Sequence, residues 1–173
     1  MRSCLLFVLV WLCACAGASR RPEGAPSRVV VLGVSVAQKP GPQGLVGNML
    51  GEEEPREVVT RAGVDALRAR GFTVLGGEGV TGPAPTVAEA TKKAREYGAD
   101  AAVVLVLTRL DLSSIRPLGR AEVALEWWMV DALGQVLSND TRRATTTENL
   151  YRARNDWRSH VRQAVNQAVR ELR

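Results

Sequence analysis

Two apolar stretches, Val29–Val36 (VVVLGVSV) and Ala101–Thr108 (AAVVLVLT), do most to restrict the folds open to this 173-residue chain. Neither alternates polar with apolar residues, and both are rich in β-branched side chains. A strand of that kind is buried on both faces. This is the condition of a central strand in a largely parallel sheet with helices on its two sides.

The segments between these runs alternate helix and strand signals. Pro55 suits the first turn of a helix reaching Arg70, with Val58, Val59, Ala62, Ala66 and Leu67 as its apolar stripe. Gly71 suits its stop. Phe72–Leu75 reads as a short strand, and Gly76–Pro85 as a loop rich in glycine and proline. Thr86 and Glu89 have capping-box spacing, and Val87, Ala90, Ala94 and Tyr97 recur at helical spacing before Gly98. The order strand, helix, strand, helix, strand, joined by right-handed crossovers, lays both helices against the sheet.

Beyond Thr108 the pattern changes. In Ala121–Val130, Val123, Leu125, Trp127 and Met129 share one face, and Glu122, Ala124, Glu126, Trp128 and Val130 the other. Asp131-Ala132-Leu133-Gly134 reads as a turn and Gln135–Arg143 as the returning strand, an antiparallel hairpin with one partly solvated face. Asp156 suits the cap of a last helix, Trp157–Leu172, packing through Val161, Ala164, Val165, Ala168 and Leu172. The expected fold class is α/β: a mixed sheet of about five strands, three mainly parallel and then the hairpin, covered by about three helices. It forms one domain over residues 29–173.

The N-terminus carries an address. Arg2 precedes the apolar run Leu5–Leu12, which is too short to span a bilayer, and Leu12-Cys13-Ala14-Cys15 follows. This resembles a bacterial lipoprotein signal with a relaxed lipobox, residues 1–14, cut before Cys15. The resemblance implies lipid, palmitate included, on Cys15. Several acyl chains would supply stable anchoring where one is marginal. Ala16-Gly17-Ala18 also fits an ordinary signal cut after Ala18. Residues 15–28 form the anchor and tether, in which Ser19–Arg28 (SRRPEGAPSR) has no apolar period. Cys4, Cys13 and Cys15 are the three cysteines of the chain, so nothing after residue 15 forms an intrachain disulfide or a thiolate site.

The residues offer no catalytic constellation. His160, the single histidine, sits beside the stripe position Val161 and reads as a surface or boundary residue. There is no G-x-S-x-G and no zinc-ligand spacing. Gly33, Gly41, Gly44, Gly47 and Gly51 do not compose a phosphate loop or a dinucleotide fingerprint. The expectation is no enzyme, no cofactor and no metal. The net charge is +5, with Arg142, Arg143, Arg152, Arg154, Arg158, Arg162 and Arg170 clustered late in the chain. A location outside the cytoplasm argues against nucleic acid as the partner. Aromatic and arginine side chains anchor many interfaces, so Trp128, Tyr151, Arg152, Arg154 and Trp157 are the candidate partner contact.

The order of elements resembles the small envelope lipoproteins that share an α/β domain with the curli-secretion lipoproteins. Relatives are the penicillin-binding-protein activator lipoproteins and the N-terminal domain of the Tol-system β-propeller protein. The pieces that carry the resemblance are Val29–Val36, Leu67–Leu75 (LRARGFTVL), Ala88–Leu107 with Tyr97-Gly98-Ala99-Asp100, and Val123–Leu137 with Val130-Asp131 and Gly134-Gln135-Val136-Leu137. The resemblance implies assembly rather than catalysis. The chain would be a lipid-anchored adaptor or accessory subunit in the bacterial envelope, at the outer membrane and facing the periplasm. Its partner would be an envelope protein or further copies of itself. Pore-forming relatives carry long amphipathic hairpins, and Ala37–Glu54 lacks two alternating spanning strands. Two rivals remain. A small-ligand or polysaccharide-binding lipoprotein would show an enclosed pocket behind Ala37–Glu54. A self-associating structural component would show exposed apolar area.

Overall fold

The computed structural model describes residues 23–38, 53–114, 120–147 and 156–172. Among these, the elements run β1 (Arg28–Ser35), α1 (Pro55–Ala69), β2 (Thr73–Val80), α2 (Val87–Glu96), β3 (Ala101–Asp111), β4 (Arg120–Asp131), β5 (Val136–Thr147) and α3 (Trp157–Arg170). They build one five-stranded sheet in the order β2-β1-β3-β4-β5. β1 is parallel to β2 and β3, while β3, β4 and β5 are antiparallel neighbours. This is the mixed α/β architecture expected from the sequence, with the two continuous apolar runs side by side at its centre.

The two faces are covered unequally. On one, α1 and α3 bury Val29, Val31, Val103, Leu105, Val123, Leu125, Trp127 and Met129. On the other, the ten-residue α2 buries Val30, Leu32, Ala102, Val104 and Val130 through Ala90 and Ala94. Small residues on α2 bring its backbone close to the sheet. Its start is the capping box read from Thr86 and Glu89: Glu89 N–H donates to Thr86 Oγ1 at 3.3 Å, and Thr86 N–H donates to Glu89 Oε2 at 2.7 Å. Its end is a Schellman-type closure in which Gly98 adopts φ +62° and Ala99 N–H donates to Ala94 O at 2.8 Å.

β2 departs from the sequence reading. The strand continues through Gly76, Gly77, Glu78 and Gly79 to Val80, pairing with β1 from Val30 to Val34 after a bulge. The glycines that signalled a loop are sites of close approach in an edge strand. A Cβ on Gly76 would lie 2.4 Å from Tyr97 Cε1, and one on Gly77 2.8 Å from Val64 Cγ2.

Asp100 and Asp131 secure the end of the sheet where β1 begins. Asp100 Oδ2 accepts from Arg28 N–H at 2.9 Å and Ser27 Oγ at 3.1 Å, while its carbonyl accepts from Ala132 N–H at 3.0 Å. Asp131 Oδ1 accepts from Leu133 N–H at 2.9 Å and Gln135 N–H at 2.8 Å, building the β4–β5 turn. The Arg28 N–H bond, then that of Ser27, holds the Asp100 carboxyl below the usual 3.8. The Ser113 and Arg109 donors bring Asp111 down to about 2. Carboxylates depressed in the folded state contribute stability above their unfolded pKa, and it is lost as pH falls through the folded value. Urea midpoints are therefore expected to hold steady above about pH 5 and to fall between about pH 4 and pH 2. Asp100→Asn flattens that decline, and a decline as steep as in the parent chain would remove Asp100 from the account.

Candidate functional site

The hairpin β4–β5 reaches beyond the cover of α2. Its register sets Trp128 opposite Asn139, Glu126 opposite Thr141, Ala124 opposite Arg143 and Glu122 opposite Thr145. Glu122, Glu126, Asn139, Thr141, Arg143 and Thr145 are all exposed, so the α2 side of the hairpin is an open, mixed-charge surface. Arg109 joins it from β3, with Nη2 3.0 Å from Asp111 Oδ2 and 3.7 Å from Glu122 Oε2.

Trp128 lies at the inner margin of this surface. Its ring is half-buried against the α2-side core, and its indole Nε1 is buried with no hydrogen-bond partner among the described residues. Trp127 faces the other way and is 3% exposed beneath the α1 and α3 layer. The opposite orientation of the two indoles follows from strand alternation.

Trp157 packs against the α1 and α3 core, on the far side of the sheet from Trp128. The Arg158 guanidinium stands 5.7 Å from its ring centroid, within cation–π range. Arg158 Nε also meets Glu53 Oε2 at 2.9 Å, and Arg61 meets Glu53 Oε1 at 2.8 Å. These contacts tie the start of α3 to the start of α1. The structure thus separates Trp128 and Trp157, which sequence reasoning had grouped. Cys15, Tyr151, Arg152 and Arg154 lie outside the described residues.

His160 is a correction. It is fully buried rather than at the surface, with Nδ1 2.7 Å from Thr146 Oγ1. That hydroxyl is 3.3 Å from the Ala121 carbonyl. The buried face of α3 spans His160, Val161, Ala164, Val165, Ala168 and Val169, because β5 and α1 flank the helix on two sides. A stripe read from the apolar residues alone is too narrow to show it. Here the histidine serves packing and joins α3 to β4 and β5.

Among the described residues, two concavities bear on the question of a ligand. One lies where β1 and β2 end, lined by Ser35, Ala37, Glu54, Pro55, Arg56, Val80, Thr81 and Gly82, and has about 110 Å³. That is well below the several hundred Å³ of an ordinary small-molecule site. The other is a shallow groove of about 520 Å³ between α2 and the β4–β5 turn. Among the described residues, no three His, Cys, Asp or Glu side chains gather as metal ligands, and no helix is long and apolar enough to cross a membrane.

This geometry defines a class, a mixed α/β sheet with one two-helix layer and one half-covered face. No protein-family model and no curated protein matches the chain. Solved structures do. The hypothetical protein CT253 from Chlamydia trachomatis matches with TM-score 0.55 and 10% identity, over 84% of this chain and 94% of that one. Lipoprotein GNA1162 from Neisseria meningitidis matches with TM-score 0.42 and 15% identity, over 83% and 98%. The LpoB C-terminal domain from Salmonella enterica gives 0.41 and 11%, over 73% and 87%. At these identities the likeness is one of fold, and the Chlamydia protein carries it. The curli-secretion and Tol-system resemblances rest on the sequence.

Proposed function

We propose that this chain is a non-enzymatic, lipid-anchored protein of the bacterial envelope that works by contact, as an adaptor or accessory subunit of a larger assembly. Cys15 is the anchor and the residues up to Arg28 are the tether. The observation that supports the reading is the open α2-side face of β4–β5. There Glu122, Glu126, Arg143 and the margin of Trp128 present charge and aromatic surface together. Tryptophan and arginine anchors beside polar groups are the usual composition of a protein interface. Tyr151, Arg152 and Arg154 extend the candidate contact by sequence, and Trp157 with Arg158 holds α3 in place from the other side of the sheet.

The test is native mass measurement on mature protein extracted from membranes with its complexes preserved, beside a Cys15→Ala chain. The expected result is a lipid increment on Cys15 and a discrete heavier species. Glu126→Arg with Arg143→Glu, both on exposed positions where substitutions usually change stability by less than about 0.5 kcal/mol, abolishes that species and leaves the monomer folded. An unmodified chain beginning at Ser19 and running only as a monomer would sink the proposal.

A further inference from the structure

The end of the sheet from which β1 starts also carries the β4–β5 turn. Val29 pairs with Ala101 and Ala101 with Asp131, and Asp100 bonds both the Arg28 N–H and, through its carbonyl, the Ala132 N–H. The turn lifts Leu133 out of the fold. It is 87% exposed, more than any other large apolar side chain among the described residues. The Asp131 bonds to Leu133 N–H and Gln135 N–H hold it in this pose, so its exposure is built into the turn.

Beside Leu133 the shallow groove is lined by Val87, Ala88, Thr91, Lys92, Arg95 and Gly134. Val87 is 39% exposed, and the Thr91 hydroxyl is buried with no hydrogen-bond partner among the described residues. The lining holds two cations and no carboxylate. Arg95 Nε donates to Ala132 O at 2.7 Å, which keeps its guanidinium at the turn. Lys92 is 78% exposed and reaches Glu96 only at 3.8 Å.

An apolar tip with cations around it suits a surface that is apolar inside and anionic at its rim. The tether decides which surface that is. Twelve residues lie between Cys15 and Arg28, and a flexible chain of that length would have a root-mean-square span of roughly 20 Å. The eight residues of β1 span about 26 Å. A lipid on Cys15 would therefore hold the end where β1 begins closer to the bilayer on average than the end bearing Val36, which lies about one strand length further along the sheet. We propose that the β4–β5 turn is a membrane contact: Leu133 seats among the lipid headgroups while Lys92 and Arg95 meet anionic lipid phosphates. This inference rests on the anchor reading.

The test uses the full chain, processed and lipidated, with a single added cysteine at Leu133 or at Val36, which is 56% exposed at the far end of β1. Cleavage before Cys15 removes Cys4 and Cys13, and the lipid thioether blocks Cys15, so an environment-sensitive fluorophore labels the added thiol alone. The protein is reconstituted in vesicles containing phosphatidylglycerol and nitroxide-bearing lipid. The expected result is blue-shifted, quenched emission from the Leu133 label and water-like, unquenched emission from the Val36 label. Lys92→Glu reduces the Leu133 quenching in these vesicles and not in zwitterionic ones. Equal, water-like spectra from both labels in a chain that floats with the vesicles overturn the membrane contact and leave the anchor standing. A chain that does not float, whether it takes label at Cys15 or begins at Ser19, overturns the anchor, and this inference with it.

Discussion

Gly33→Ala is expected to cost about 3 kcal/mol and to displace α1 from the sheet. Gly33 is an interior residue of β1 directly beneath α1. A Cβ there would stand 2.8 Å from Arg56 O, 2.8 Å from Thr60 N and 2.1 Å from Thr60 Oγ1. Two of those three atoms are backbone, so no side-chain rotation relieves the clash and the helix itself has to move. α1 supplies Val58, Val59, Ala62, Ala66 and Leu67 to the larger core, so its displacement loosens most of that layer. Against a total stability of about 5–15 kcal/mol the loss is large. Chemical denaturation followed by circular dichroism measures it. Thr60→Ala in the same chain removes the hydroxyl contact and leaves the backbone clash, so it is expected to restore little. Full restoration by Thr60→Ala would show that the side chain, and not the helix backbone, sets the limit. Gly63 offers the contrast. Its Cβ would meet side-chain atoms alone, Leu105 Cδ1 at 2.4 Å and Val31 Cγ1 at 3.0 Å, so no backbone has to move and Gly63→Ala is expected to be milder than Gly33→Ala.

Arg70→Ala is expected to remove about 3 kcal/mol, roughly 10 °C in Tm for a domain of this size. Arg70 follows α1, is 7% exposed, and closes the end of α3 rather than its own helix. Its Nη1 donates to Val169 O, and its Nη2 donates to Leu172 O at 3.1 Å. These carbonyls lie at the negative end of the α3 dipole, where a cation is favoured. Burial pulls the guanidinium pKa below its ordinary value without discharging it, so the bonds to the carbonyls are charge-assisted. Arg70→Lys is expected to recover only part of the loss, because a single ammonium does not reproduce the two-armed geometry. Hydrogen exchange localises the effect: amides in the last turn of α3 should lose protection in Arg70→Ala before those of β3 do. Uniform loss across the domain would mean that Arg70 acts through the core at large.

Much of the fold was legible because it is written in short-range pattern. Val29–Val36 and Ala101–Thr108 lack polar alternation, and they became the two central strands, β1 and β3. Thr86, Glu89 and Gly98 marked α2 at both ends, and alternation from Ala121 to Val130 assigned Trp127 and Trp128 to opposite faces. The candidate contact was less legible. Grouping Trp128 with Trp157 assumed that two aromatic residues in the last third of the chain share a surface, but the thickness of the sheet lies between them. The signal for the open face was present as glutamates at 122 and 126, which pair with Thr145 and Thr141 of β5 on either side of Arg143. Its exposure depended on how far the short α2 reaches.

The sequence by itself determined the order and kind of the elements, their caps and turns, and the absence of cysteine beyond residue 15, because each is a property of neighbours within a few positions. Tertiary structure alone decided that the glycines of β2 are strand rather than loop, that His160 is interior, that Arg70 caps a helix about a hundred residues away, and that Leu133 shares an end of the sheet with the start of β1. Each of these depends on which distant backbone comes to lie against a residue. Periodicity along one chain segment carries no record of that.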